Sequence, residues 1–201
     1  MHPAAIPEML NIPKLADDVA ERLRVRSRAV GALVMAGFGA LWSGAGLWLS
    51  GAQAGAWLAL SLLALAFGVR ARRLLRANPC VPEPLALDLA ERQQRARRVF
   101  AWTGLGEGLG ILVAVNVVVN LGHPQWQAAA AMGVVGLHFL PLAVGFGYRP
   151  HFISGAAMTA WALAYPWLFA AGAMAPGGML GAGAILFASA AWALRAARPR
   201  P

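Results

Sequence analysis

Three long stretches of this chain are almost free of formal charge, and that pattern limits the fold more than any other feature. Between Arg28 and Arg70 lie 41 residues without Asp, Glu, Lys or Arg. Between Arg98 and Arg149 lie 50, with Glu107 the one exception, and between Arg149 and Arg195 lie 45 with none. A helix rises about 1.5 Å per residue, so 41 residues would reach roughly 60 Å, twice a bilayer's hydrocarbon thickness. Each block therefore suits a pair of spans closed by a tight turn. The turn chemistry is present in all three, as SGAQAG at Ser50–Gly55, LGHPQW at Leu121–Trp126 and AMAPGG at Ala173–Gly178.

This predicts an all-α, polytopic membrane protein with six transmembrane helices in three hairpins, at about Ala29–Leu49, Ala52–Val69, Phe100–Leu121, Trp126–Phe146, His151–Ala171 and Gly178–Ala197. The apolar runs are continuous rather than alternating, which argues against a β-barrel. Composition agrees: the chain is 59% hydrophobic and 12% charged, about half the charge of an ordinary soluble domain.

The net charge of +9 raises nucleic acid as a partner, and the placement of the charge argues against it. All 17 Lys and Arg fall on one side of the hairpins, and the three opposite turns carry none. The positive-inside rule then places both termini in the cytoplasm of a bacterial plasma membrane. Residues 1–28 read as a cytoplasmic amphipathic leader, 29–197 as the six-helix domain with a cytoplasmic loop at 70–99, and 198–201 as a tail. Glu8, Asp17, Asp18 and Glu21 near the start, and the length of the first apolar run, argue against a cleaved signal peptide.

In the leader, Leu15, Val19 and Leu23 repeat every four residues, which predicts a short helix at the inner surface. Arg22, Arg24, Arg26 and Arg28, with Arg70, Arg72, Arg73 and Arg76 after the second span, are expected to meet anionic lipid headgroups. Pro79, Pro82 and Pro84 break any helix there, and the sequence from Leu85 reads as helical again, leading into the third span. Cys80 has no disulfide partner within the chain.

Small residues recur at four-residue steps in the first span (Ala32, Ala36, Ala40, Gly44). The third pairs Gly104 with Gly108, and Gly106 with Gly110 and Ala114. Such ridges allow close helix contact, by default within the chain, alternatively between copies in a homo-oligomer. Trp48, Trp57, Trp126, Trp167, Trp102 and Trp192 fall near the two expected membrane boundaries, as interface anchors do. Trp42 and Trp161 fall deeper.

The polar residues within the apolar blocks are the candidate site. Glu107 lies about 10 Å into the third span and His138 about 12 Å into the fourth, both counted from the arginine side. They sit at matching heights on antiparallel neighbours. A carboxylate facing lipid is costly, so Glu107 is expected to face protein or water, either as the neutral acid or paired with protonated His138; both make it responsive to pH. Asn116 shares one face with Asn120 and His123, but nine residues put it about 180° from Glu107. Pro141 and Pro166 are expected to kink the fourth and fifth helices, the first freeing the Leu137 carbonyl near His138.

The run VVGLHFLPLA, followed by GYRPHFISG, resembles a group of small multi-pass bacterial membrane proteins with a Gly-x-His-Phe-x-Pro signature, here Gly136, His138, Phe139 and Pro141. The resemblance covers the second half of the chain. It implies the multi-span arrangement and no particular chemistry. The chain departs from the group in its arginine-rich leader and in Glu107.

Two functions follow as expectations. One is a small transporter using the Glu107–His138 pair for a proton or cation. The other is a scaffold, accessory subunit or sensor in which that pair is structural. An intramembrane enzyme ranks last, since no His-Glu-x-x-His, Gly-x-Ser-x-Gly or paired-aspartate pattern occurs. No cofactor motif is present, and His2, His123, His138 and His151 lie at different heights, which argues against a metal site.

Overall fold

A computed structural model describes residues 12–79 and 87–197. Within them the protein is all-helical, with six α-helices: α1 (Ile12–Leu49), α2 (Ala54–Ala77), α3 (Leu87–Asn120), α4 (Gln127–Phe146), α5 (Pro150–Leu168) and α6 (Pro176–Ala196). His2, Cys80, Pro82 and Pro84 lie outside the described residues. Five helices, all but α5, are long and apolar enough to cross a membrane. α5 has the length but carries His151, Ser154, Thr159 and Tyr165 within its 19 residues. It can do so because it packs between α4 and α6.

The hairpins are as expected, but three helices extend past the apolar stretches. α1 is unbroken from Ile12, so residues 12–28 run as one helix into the first apolar stretch. α2 runs on through Arg70, Arg72, Arg73 and Arg76 and stops at Ala77, just before Pro79. α3 passes without interruption from its arginine-rich first half into its apolar second half.

The helices pack in the order α2–α1–α6–α5–α4–α3, with the most extensive seams between α1 and α6, α4 and α5, and α3 and α4. α1 and α6 run antiparallel, and their seam is lined with small residues. Val25, Ala29, Ala32, Ala36, Gly39, Ser43 and Gly46 are all buried, at alternating four- and three-residue steps. This is the repeat that keeps one face of a 3.6-residue helix against a neighbour. A Cβ on Gly39 would stand 3.2 Å from the Gly183 carbonyl oxygen, and one on Gly183 would stand 2.8 Å from that of Gly39. α4 and α5 cross as closely: a Cβ on Gly155 would lie 2.7 Å from the Gly136 carbonyl oxygen. Where lipid supplies no hydrophobic drive, such backbone approach is what holds helices together.

The core gathers around Met132, Met158, Tyr165, Leu186 and Leu194, all almost fully buried. The flanking helices are the reverse. No residue in the apolar window of α3 is buried, and Leu105, Leu109, Leu112 and Val113 of α3 and Leu58, Leu62 and Leu65 of α2 are exposed. Apolar exposure on this scale marks a surface that meets lipid or another protein.

The arginine-bearing ends meet at one end of the molecule. Arg26 Nη1 donates to the Asn78 carbonyl at the end of α2 (3.2 Å). Arg28 donates to the Ala196 carbonyl at the end of α6 and stands 5.6 Å from the centre of the Tyr148 ring in the α4–α5 turn. A cation at the C-terminus of α6 also complements the helix dipole. Of the arginines expected to face headgroups, Arg26 and Arg28 therefore turn toward the protein, because they flank the buried Val25 and Ala29. Arg24 pairs with Glu21. Arg22, Arg70, Arg72, Arg73 and Arg76 are exposed.

Candidate functional site

The α3–α4 hairpin turns at Gly122, whose φ of 79° is left-handed backbone that glycine adopts without penalty. A short 3-10 segment, Pro124–Trp126, leads into α4. Two close contacts fix the register. A Cβ on Gly110 would stand 2.9 Å from Val134 Cγ1, and one on Gly145 would stand 3.1 Å from Val99 Cβ. Counting inward from both contacts brings Thr103 and Glu107 opposite His138. These two α3 residues are half-buried, while the flanking Gly104, Leu105, Gly106 and Gly108 are exposed.

His138 Nδ1 lies 3.5 Å from Glu107 Oε2, with side-chain exposures of 11% for the histidine and 21% for the glutamate. The same nitrogen lies 3.1 Å from the Thr103 carbonyl oxygen. A carbonyl oxygen only accepts, so Nδ1 carries the proton and donates it. One N–H thus faces two acceptors on α3, a backbone carbonyl and a carboxylate one turn apart. Thr103 Oγ1 turns back along its own helix and donates to the Val99 carbonyl (2.7 Å).

The other polar residues of the apolar blocks do not join this contact. Asn116 is exposed, and its amide nitrogen donates to the Leu112 carbonyl on its own helix (2.8 Å). Asn120 and His123 are exposed at the opposite end of the hairpin. α4 continues as helix through Pro141 and α5 through Pro166. Leu137, whose carbonyl Pro141 leaves without its helical donor, is 56% exposed, and His138 Nδ1 turns to the Thr103 carbonyl instead. Among the described residues no three His, Cys, Asp or Glu side chains come together as a metal set would require.

A second polar group lies at the arginine end, and the sequence reading did not assemble it. Gly147, at φ 59°, ends α4, and Tyr148 N–H closes back to the Ala143 carbonyl (3.1 Å) in a left-handed cap. That turn brings the Tyr148 ring edge-on to His151, with centroids 4.9 Å apart. One turn further along α5, Ser154 Oγ meets Ser189 Oγ of α6 at 2.7 Å. Tyr148, His151 and Ser154 are spaced by three residues, which is the signal the sequence carries. Phe139 stands between the two sites, 6.0 Å from His138 and 5.5 Å from His151 by ring centroids. In comparisons with protein-family models, curated proteins and solved structures, nothing matches this chain.

Proposed function

We propose that the protein is a multi-pass membrane component of the non-transporting kind, a scaffold, accessory subunit or sensor, in which Glu107 and His138 clamp α3 to the rest of the bundle. α3 packs mainly on α4, so a polar contact across that seam governs its docking. The carrying observation is that the His138 Nδ1 hydrogen is committed to α3, shared between the Thr103 carbonyl and the Glu107 carboxylate. A group occupied in this way holds two helices together in an apolar solvent, where such contacts average about 0.6 and reach about 2 kcal/mol.

The clamp is tested by a double-mutant cycle. Glu107→Gln, His138→Ala and the double variant are compared with the parent by thermal unfolding in mild detergent. A coupling of about 1 kcal/mol is expected, since residues in direct contact are non-additive. Full additivity would rule the clamp out.

One observation favours the transporter as a second reading. His138 Nε2 makes no hydrogen bond among the described residues, so a proton position beside Glu107 is open. PH-dependent flux in proteoliposomes separates the two. If Glu107→Gln abolishes a flux that the parent supports, the pair handles protons and the non-transporting assignment is wrong.

Insertion itself rests on the exposed apolar perimeter and on the arginine ends gathered at one end of the molecule. By the positive-inside rule that end faces the cytoplasm. Reporter fusions at the Arg149 turn are expected to report a cytoplasmic location, and fusions at the His123 turn the opposite one. A reporter at Arg149 found outside would overturn the topology.

A further inference from the structure

The last turns of α2 carry exposed arginines, and two of them border an apolar trough. A volume of about 560 Å³ lies against Leu62, Leu65, Ala66 and Val69, with Arg70 and Arg73 toward the arginine end. A helix turns by about 100° per residue, so Leu62, Ala66, Val69 and Arg73 share one face, about 140–180° from Ala71. Ala71, the buried residue of α2, marks the side toward the bundle. The trough therefore opens on the opposite side, where Leu62 and Leu65 are 56% and 61% exposed.

The charges at its end are unspent. Arg26 and Arg28 are tied to helix-end carbonyls and Arg24 to Glu21. Arg70 and Arg73 make no hydrogen bond or ion pair among the described residues. Among those residues no acidic side chain lines the trough. Arg22, Arg72 and Arg76 are exposed but do not line it. Two cations three residues apart lie on neighbouring positions of a helix surface, and both can donate charge-assisted hydrogen bonds to one phosphate. The dimensions also fit. From Leu62 to Arg73 the helix rises about 16 Å, against about 15 Å for one leaflet's share of the hydrocarbon core. α2 runs toward the arginine end, so the leucines stand at chain depth and the cations at headgroup depth.

We propose that this face of α2 seats one anionic diacyl phospholipid of the arginine-side leaflet. Its phosphate lies between Arg70 and Arg73, and an acyl chain runs along Leu62, Leu65, Ala66 and Val69. A net negative headgroup is selected because the trough offers two cations and no acid to hold the amine of a zwitterionic one. The seat rests on the membrane reading above, which the reporter fusions test by themselves. Binding is measured in detergent, where topology plays no part, and it is independent of the Glu107–His138 clamp.

The test titrates the full chain, delipidated in mild detergent, with palmitoyl-oleoyl phosphatidylglycerol and counts bound lipid by native mass spectrometry. One saturable lipid is expected, bound about tenfold more tightly than phosphatidylcholine with the same chains. Arg73→Gln should raise Kd about fivefold, and Arg70→Gln added to it about twenty-five-fold in all. Arg97→Gln with Arg98→Gln removes the same charge from exposed positions on α3 and should change Kd at most about twofold. Ala66→Trp, which fills the trough from an exposed position, should weaken binding while leaving Tm near the parent's. sn-Glycerol 3-phosphate, a phosphate without chains, should compete poorly. Equal affinity for the two lipids, equal losses in the α2 and α3 pairs, an unchanged Kd in Ala66→Trp, or full competition by glycerol phosphate would each overturn the proposal. Should Ala66→Trp fail to fold, the arginine pairs and the headgroup comparison still decide.

Discussion

Gly183→Val is expected to cost the protein most of its folded fraction, whereas Gly108→Val leaves it nearly intact. Gly183 sits where α6 crosses α1. A Cβ there would lie 2.8 Å from the Gly39 carbonyl oxygen and 3.0 Å from the Ser43 nitrogen, and would also press on Ser43 Oγ. Two of those three are backbone atoms, which cannot rotate aside as a flexible side chain can. Valine adds two methyl groups to that contact, so α1 and α6 must separate along the most extensive seam in the molecule. Overpacking of this kind costs about 3 kcal/mol or more. A fall in Tm of roughly 10 °C follows for a chain of this length, together with loss of monodisperse protein on size exclusion. Gly108 offers the contrast: it is equally helical, and a Cβ on it meets nothing within 4 Å. Comparable losses in the two variants would show that the α1–α6 crossing is not what holds the bundle. A change in oligomeric mass confined to Gly108→Val would instead mark the open face of α3 as a contact between copies.

The same pair of glycines shows how far the sequence can be read. The three charge-free blocks set the helices, their pairing and the end at which the arginines gather, because charge and helix length are properties of the chain alone. The packing ridge was harder. Ala32, Ala36, Ala40 and Gly44 step by four, and each such step turns a helix by about 40° beyond a full turn. The row therefore drifts off the contact face by its third step. The observed seam corrects for this by alternating four and three, leaving through Gly39, Ser43 and Gly46, while Gly44 ends beside Trp57 of α2 instead. On α3 only Gly110 of the glycine series meets a neighbour.

The candidate site divides in the same way. Heights along a helix follow from counting residues, so Glu107 and His138 could be set level with each other. Azimuth against a neighbour does not follow from counting, and neither does the Thr103 carbonyl that accepts the hydrogen bond from His138 Nδ1, since a backbone acceptor leaves no mark in a sequence. Asn116, half a turn away from Glu107, was legible as being on another face and is exposed. Arg26 and Arg28 show the limit of reading charge by type. Their neighbours Val25 and Ala29 are buried, and that position turns two of the arginines into ties between helix ends.

Tyr165→Ala should be about as damaging as Gly183→Val, and its companions separate the causes. Tyr165 is fully buried, and its hydroxyl donates to the Ala173 carbonyl in the α5–α6 connection (3.0 Å). Its ring occupies the space above Gly178, where a Cβ would stand 2.7 Å from Tyr165 Cζ. Trp161 Nε1 donates to the Gly178 carbonyl (2.8 Å) from the same side, and Pro166, also buried, follows directly. Pro166 therefore lies beside an aromatic plug formed by Tyr165 and Trp161. Removing the ring loses about 3–5 kcal/mol through lost contacts and the void left behind. Tyr165→Phe keeps the plug, strands only the Ala173 carbonyl, and should cost about 1 kcal/mol. Gly178→Ala should destabilise on its own by driving a methyl group into the ring. Placed in the Tyr165→Ala background, that methyl group enters vacated space, so the double variant should unfold well above the temperature that additivity predicts. If the two losses simply add, the tyrosine and the glycine are not filling one another's space, and the α5–α6 joint must be held by the Trp161 bond instead.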